Sequence, residues 1–338
     1  MSIFVTGGAG FIGSQFIRDW VRRYPSQEVT NFDKLTYAGN LENLASVESH
    51  AGYCLVRGDI CDAQAVAEAI PERCDAVVHF AAESHVDRSI MSAAEFATTN
   101  VVGTQVLLDS ARRKGVRRFL HISTDEVGGS IPEGSFFRED SPLNPSSPYA
   151  ASKAAAEHMV RAAAHTFGMD VVITRTSNNY GPYQFPEKLL PLAIGNALEN
   201  RPVPVYGDGL QVRDWIHVAD NCRAIVMVLE HGRAGETYHI GGRNPQPNRA
   251  VLALLLKILG RSEELLTRVT DRLGHDRRYA VDCSKIETEL GWYPELPFVV
   301  GLGVTIEWFR PKTGWLERAR SGEYRDYYER LYGTVARS

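Results

Sequence analysis

Apolar residues along this chain fall into short strand-like runs separated by helical spacings. Residues 3–5 are an apolar run ending at Thr6-Gly7-Gly8, and a helical pattern follows over residues 11–23, with Phe11, Ile12, Phe16, Ile17 and Trp20 at helix-compatible spacing. Residues 29–32, 53–56, 76–80, 118–122 and 171–174 read as five further strands. A long helical pattern rich in alanine and leucine fills residues 93–113 and ends near Lys114-Gly115. Strands alternating with helices predict an α/β fold, a Rossmann-type doubly wound parallel sheet. Such sheets bind ligands beyond the carboxyl ends of their strands. That rule sets residues 7–13, Asp33, Asp59, residues 81–84 and residues 124–126 along one rim, because each directly follows a predicted strand.

From about Tyr180 the pattern loosens. Proline, glycine and aromatic residues cluster at 180–186 and again at 201–209, and helical patterns return at 188–199, 220–230 and 249–259. This predicts a smaller C-terminal substrate-binding lobe capping the rim. The expected division is a dinucleotide-binding domain over 1–180 and the smaller lobe mainly over 181–330, with the strand-like residues 237–240 able to rejoin the sheet. There is no internal repeat or low-complexity tract, and the charged, tyrosine-rich segment after Gly322 suggests no function.

Composition narrows the class. A chain of 338 residues with 44% hydrophobic and 23% charged residues has globular proportions. A net charge of −4 gives no electrostatic reason to expect nucleic acid or an anionic membrane as partner. The five cysteines (Cys54, Cys61, Cys74, Cys222 and Cys283) show no CxxC or CxxH spacing. That argues against a disulfide framework and a zinc site, so no metal is expected, and it fits a reducing compartment. Met1 leads straight into a strand, and no apolar stretch reaches about 18 residues. The expectation is a cytoplasmic protein without signal peptide or membrane helix.

Gly8-Ala9-Gly10-Phe11-Ile12-Gly13 fits G-x-G-x-x-G, placed where a strand gives way to a helix. Glycines there permit a tight turn and close approach of a pyrophosphate to the helix N-terminus. Asp33 lies 20 residues beyond Gly13, at the end of the second strand. A carboxylate there accepts from ribose hydroxyls and repels a 2′-phosphate, favouring NAD over NADP. Lys34 complicates that choice, since a cation tolerates phosphate, and Asp33 as a solvated turn residue is the plainer alternative.

Ser147-Pro148 starts a helix that runs to about Phe167 and stops at Gly168. Tyr149 and Lys153 are then one turn apart on one face. An ammonium near the phenol would lower the tyrosine pKa and make it a general base. The bland reading is a surface Tyr/Lys pair. Thr124, Asp125 and Glu126 follow the strand 118–122, where adjacent carboxylates are either a solvated loop or an acid and a base beside the nicotinamide.

The chain resembles the extended short-chain dehydrogenase/reductases, and among them the dTDP-glucose 4,6-dehydratases, over roughly residues 3–310. The motifs that carry the resemblance are Thr6-Gly-Gly-Ala-Gly-Phe-Ile-Gly13, Asp33-Lys-Leu-Thr-Tyr-Ala-Gly-Asn40, Ala81-Ala-Glu-Ser-His-Val-Asp-Arg-Ser-Ile90, Ser123-Thr-Asp-Glu126, Ser147-Pro-Tyr-Ala-Ala-Ser-Lys153, Asn178-Asn-Tyr-Gly-Pro-Tyr183 and Gly274-His-Asp-Arg-Arg-Tyr279. It implies an NAD-dependent hydro-lyase that forms dTDP-4-keto-6-deoxyglucose from dTDP-glucose by moving hydride from C4 to C6. Tyr149 would be the base at the 4-hydroxyl, Thr124 its hydrogen-bonding partner and Lys153 the holder of the nicotinamide ribose. Glu126 would take the C5 proton and Asp125 would protonate the departing 6-hydroxyl.

The resemblance also implies cofactor contacts at Gly7, Gly10, Phe11, Ile12, Gly13, Asp33, Lys34, Leu35, Thr36, Asp59, Ile60, Phe80, Ala81, Ala82, Ser84, Thr99 and Asn179. Implied substrate contacts are Ser84, Thr124, Asn178, Lys188, Leu189, Pro204, Val205, Tyr206, Arg213, Asn248, Asp271, Arg272 and His275. Cations and amides of this kind suit a nucleoside diphosphate. For Arg213 a surface ion pair with Asp214 is the alternative. A homodimer built on residues 93–113 and 148–167 is implied as well. The chain departs from the family at Gly128, where tyrosine is usual, and at Leu273, where proline is common. The first predicts a looser acid–base loop. Rival readings are a nucleotide-sugar 4-epimerase or decarboxylase, which need no Asp-Glu pair, and a non-catalytic NAD-binding protein.

Overall fold

A computed structural model describes residues 1–319; the segment after Gly322 lies outside them. β1 (Ser2–Thr6) leads into α1 (Phe11–Arg23), which buries Phe16, Ile17 and Trp20 and ends on Arg22 and Arg23, cations that suit a helix C-terminus. β2 (Glu28–Asp33), β3 (Tyr53–Arg57), α2 (Ala63–Ala69), β4 (Ala76–His79) and α3 (Val86–Met91) follow. The long helix predicted over 93–113 is present but not uniform. It comprises α4 (Ala93–Phe96), a π-helical stretch Ala97–Gly103 and α5 (Thr104–Arg113).

β5 (Arg118–Thr124) runs into a 3₁₀ turn, Asp125–Gly128, and α6 (Pro148–Phe167) precedes β6 (Val171–Thr176). α6 starts and stops on local signals. Ser147 Oγ accepts from Ala150 N at 3.1 Å, Pro148 opens the first turn, and Gly168 closes the helix at φ 66°. The chain continues through β7 (Asn178–Tyr180), α7 (Leu189–Leu198), β8 (Val203–Tyr206), β9 (Val212–His217), α8 (Val218–His231), β10 (Thr237–Ile240) and β11 (Pro245–Pro247). It ends, as described, with α9 (Asn248–Leu259), β12 (Leu266–Val269), α10 (Ser284–Leu290), α11 (Phe298–Phe309) and α12 (Thr313–Ala319).

The main sheet has seven parallel strands in the order β10-β6-β5-β4-β1-β2-β3. Its strands are apolar on both faces because helices cover both. Alternate residues therefore enter different cores. Ile3 and Val5 pack with α1 and α8, and Phe4 packs with Leu107, Leu108, Phe119 and Val160 on the other face. A third core, with Tyr180, Leu190, Trp215, Leu252 and Phe309, belongs to a smaller lobe built on two small sheets, β11-β9-β7 and β12-β8. The chain crosses between the two: α8 and β10 pack with the main sheet, β11 to β12 return to the lobe, and Cys283, Ile286 and Trp292 pack again beside α1 and α8. This weaving brings the lobe across the carboxyl rim of the sheet.

Candidate active site

The β1–α1 turn requires glycine at two places. Gly7 has φ +71°, and a Cβ there would lie 2.6 Å from Ala81 N; a Cβ on Gly13 would lie 2.4 Å from Gly7 O. Gly10 caps α1 with no side chain, which leaves the start of the helix open to an anion in the cleft it lines. Asp33 sits beside this turn, accepting from Ala9 N and Leu35 N at 2.8 Å each. Burial raises its proton affinity and those two amides oppose the rise. Lys34 Nζ is engaged 2.7 Å from Asp59 instead of standing ready for a phosphate. These features fit NAD.

Phe11, Ile12, Thr36, Asp59, Ile60, Phe80, Ala81, Ala82, Ser84, Thr99 and Asn179 all line the same cleft. Leu35, between Lys34 and Thr36, takes φ 55° and packs its side chain against the α1 core. Asn100, one residue past Thr99, accepts from Glu83 N at 2.8 Å and donates to Glu83 O at 3.0 Å and Ser152 Oγ at 2.8 Å. The π-helical stretch thereby ties the cleft wall to α6.

The residues expected to react converge where β5 ends. Thr124 Oγ1 accepts from Glu126 N and donates to Asp125 Oδ1, both at 3.3 Å, which closes the 3₁₀ turn. Tyr149 and Lys153 reach the same point from α6, and both are buried. The expectation that Lys153 depresses the phenol pKa is not met. Lys153 Nζ donates to Ile122 O at 2.7 Å and lies 3.5 Å from His121 Nε2. Burial brings the lysine down to about 8, against the pull of Glu157. The Tyr149 phenol is pushed up by burial and by the Glu126 and Asp125 carboxyls, with a hydrogen bond to Thr124 opposing.

The two adjacent carboxyls sit in different surroundings. Asp125 is 3% exposed, its Oδ2 has no partner among the described residues, and burial followed by the charge of Glu126 raises it well above the usual carboxylate range. Glu126 retains some exposure to the cleft. Burial raises it too, but Arg213, Arg272 and Lys188 pull it back. Both carboxyls are thus raised, Asp125 with little to oppose the rise and Glu126 facing cations that do, an inequality of the kind that separates an acid from a base.

The lobe supplies the far wall. Lys188 Nζ donates to Ser84 O at 2.9 Å. Arg213 is 6% exposed, donates to Asp276 O at 2.9 Å and stacks 4.2 Å over the Tyr279 ring. Asp214 instead accepts from Gly242 N at 2.9 Å and Asn244 N at 2.6 Å, so Arg213 is not tied up in a surface ion pair with it. Asn178, Leu189, Asn248, Arg272 and His275 face this part of the cleft, and Arg272 Nη2 donates to Asp87 at 2.9 Å.

Two of the expected substrate residues sit behind the cleft's lining. Along β8, Pro204 and Tyr206 face the cleft while Val205 alternates into the lobe's core. Asp271 lies on an adjoining depression with Gly207, Asp208 and Arg277, and its carboxylate is 2.6 Å from Nδ1 of the cleft-lining His275 and accepts from Arg272 N at 2.8 Å. Leu273 is 75% exposed and lines no part of the cleft. Above Gly128 the Phe137 ring occupies the space a Cβ would need, at 2.9 Å. The turn is therefore packed where a loose loop was expected. Reading the sequence missed Gln184, Glu187, Asp276 and Tyr279 as site residues. Asp276 and Tyr279 lie inside the motif at 274–279 and Gln184 inside the aromatic cluster at 180–186, the two signals that pointed at them. Among the described residues no group of His, Cys, Asp and Glu is arranged to hold a metal, and no helix is long and apolar enough to cross a membrane.

A family model described as GDP-mannose 4,6 dehydratase matches residues 4–303. A dTDP-glucose 4,6-dehydratase from Streptomyces niveus is 52% identical over 325 residues, covering 95% of this chain and 96% of its own. The crystal structure of the dTDP-glucose 4,6-dehydratase DesIV from Streptomyces venezuelae, solved with NAD and dTDP, aligns with a TM-score of 0.92 at 52% identity, covering 94% of this chain and 100% of its own. The UDP-glucose 4-epimerase of Thermus thermophilus, solved with NAD, aligns at 0.84 with 31% identity, covering 92% and 99%.

Proposed function

We propose a reaction from the premise that this chain belongs to the GDP-mannose 4,6 dehydratase family, and within it to the dTDP-glucose 4,6-dehydratases. It is an NAD-dependent hydro-lyase that converts dTDP-glucose to dTDP-4-keto-6-deoxyglucose and water. The glycine turn, Asp33 and Lys153 would hold NAD, which would supply the acceptor for the C4 hydride and its donor to C6 and a positive charge to offset the carboxylates near the Tyr149 phenol.

The chain's own groups do the rest. Tyr149 takes the proton of the 4-hydroxyl while Thr124 hydrogen-bonds that oxygen. Lys153 moves from the Ile122 carbonyl to the nicotinamide ribose. The 4-ketone acidifies the neighbouring C5–H, and Glu126 takes that proton. Asp125, whose burial favours the protonated form, gives its proton to the departing 6-hydroxyl as the C6–O bond breaks. Glu126 then returns its proton to C5 as hydride adds at C6. Arg213, Lys188, Arg272 and Asn248 receive the nucleoside diphosphate.

The observation that carries this reading is the buried, adjacent and electrostatically unequal pair Asp125 and Glu126 beside Tyr149. An epimerase needs no such pair. The test supplies purified protein with dTDP-, UDP-, CDP- and GDP-hexoses and no reductant. Only dTDP-glucose should yield the alkali-labile chromophore of a 4-keto-6-deoxy sugar. No product from any of the four would refute the reading.

The enzyme acts as a homodimer in the cytoplasm. Exposed Val102 and Phe167 on the long helices support the first, and five free cysteines support the second.

A further inference from the structure

The wall of the cofactor cleft is closed by a cluster that the reaction does not use. Tyr37 lies between Thr36 and Ala38, which line the cleft from the loop after β2. Phe185 and Glu187 line it from a different segment, the loop between β7 and α7. The two segments meet at Tyr37. Its hydroxyl donates to Glu187 Oε1 at 3.2 Å, and its ring meets that of Phe185 edge-on with centroids 5.4 Å apart. Arg88, from α3, completes the cluster. Its guanidinium lies 3.7 Å over the Tyr37 ring, and its Nε is 3.3 Å from Glu187 Oε2.

We propose that Tyr37, Arg88, Phe185 and Glu187 form a latch across the cofactor cleft that retains NAD from one turnover to the next. The chemistry of the reaction calls for such a device. Hydride leaves and returns within one catalytic cycle, so the oxidised cofactor is regenerated in place and never needs to depart. The substrate must still enter and leave. The latch is suited to that division because it pins the cofactor-side loop to α3 and to the loop before α7, while β8 and α9, which carry other substrate contacts, lie outside it.

Its parts also reinforce one another. Glu187 is 7% exposed, and burial of its carboxyl is offset by Lys188 and Arg88. The charge that stacks on Tyr37 therefore also compensates the carboxylate that Tyr37 bonds. A desolvated cation–ring contact of this kind is among the stronger side-chain interactions. Losing it together with the hydroxyl bond should speed NAD escape about tenfold or more.

The inference rests on NAD being the cofactor, and the experiment separates the two claims. Wild type, Tyr37→Phe and Tyr37→Ala are purified identically, passed repeatedly through gel filtration, and assayed for NAD per chain in the heat-denatured supernatant. NAD release is followed separately after dilution. Wild type should retain most of its NAD. Tyr37→Phe, which keeps both ring contacts, should release it a few-fold faster. Tyr37→Ala should lose it and become dependent on added NAD for turnover of dTDP-glucose. Circular dichroism and Tm establish that each variant is folded, and Glu187→Gln provides a second, nearly isosteric disruption. Retention by Tyr37→Ala and Glu187→Gln equal to wild type would overturn the latch and leave the dehydratase reading standing. Wild type that loses NAD as quickly as Tyr37→Ala would overturn it as well.

Discussion

Replacing Gly128 with alanine tests how the acid–base pair is held. The new Cβ would lie 2.9, 3.0 and 3.0 Å from three atoms of the Phe137 ring, about half an ångström inside ordinary carbon–carbon contact. The Phe137 backbone is anchored, so relief must come from its ring or from the turn. Its N–H donates to Ala280 O at 2.9 Å, its carbonyl accepts from Asp282 N at 2.7 Å, and His239 Nδ1 lies 3.2 Å from the same carbonyl. Strain that a turn of the ring does not relieve falls on the turn that carries Asp125 and Glu126. Overpacking of this size costs about 1–3 kcal/mol, which lowers Tm by a few degrees at roughly 2–4 °C per kcal/mol. A displaced catalytic turn should lower kcat about tenfold or more while KM changes little, since a misplacement of about 1 Å can cost on the order of 100-fold. Steady-state dehydration of dTDP-glucose and thermal melts read both effects. The Phe137→Ala background removes the clash, so Gly128→Ala should be better tolerated there, with a coupling of about 1 kcal/mol. Gly128→Ala enzyme with wild-type Tm and kcat would refute the reasoning.

Two further outcomes follow from the unequal carboxyls. Glu126→Gln should still let hydride leave C4, seen as transient NADH absorbance in a single turnover, while elimination stalls; elimination at the wild-type rate would show that another group takes the C5 proton. Asp125→Asn should lose elimination yet stabilise the fold near neutral pH. The folded-state pKa of Asp125 lies above its unfolded value of about 3.9, so its contribution to stability is fully present below that value and lost as pH rises through the folded pKa. The Tm advantage of Asp125→Asn should therefore shrink as pH falls toward 4, and a constant or growing advantage would contradict the assigned shift.

Much of the sheet was legible because its signals are local. The strand at 3–5, the helix at 11–23 and the helix from Pro148 to Gly168 carry their own apolar spacing, caps and stops, and they sit where those signals put them. The rim residues follow from strand order alone. What escaped depends on tertiary contact. Val205 turns inward because β8 pairs with β12, a partner 60 residues away, and nothing in its own segment marks which face is buried. Lys153 was expected to act on Tyr149 from their spacing, but spacing does not reveal the Ile122 carbonyl that receives the ammonium. Gly128 suggested a loose turn because the ring that packs on it comes from nine positions along the chain, where no motif singles it out.

The π-helical stretch Ala97–Gly103 sets a length rule for this part of the gene product. A π turn winds one extra residue into a helix, and each residue of an α-helix advances it by about 100°. Asn100 needs one rotational phase to reach Glu83 and Ser152, and Leu107, Leu108 and Ala111 need another to enter the core against the sheet. Deleting a single residue between 97 and 103 would let the helix relax to regular winding and swing one of these sets out of place. Substitutions away from Asn100 and Gly103 can be absorbed one side chain at a time, whereas a one-residue deletion must disconnect either the cofactor wall or the core. Members of this lineage should therefore hold the length of 97–103 fixed and keep Asn100 and Gly103, varying in residue type elsewhere in the stretch.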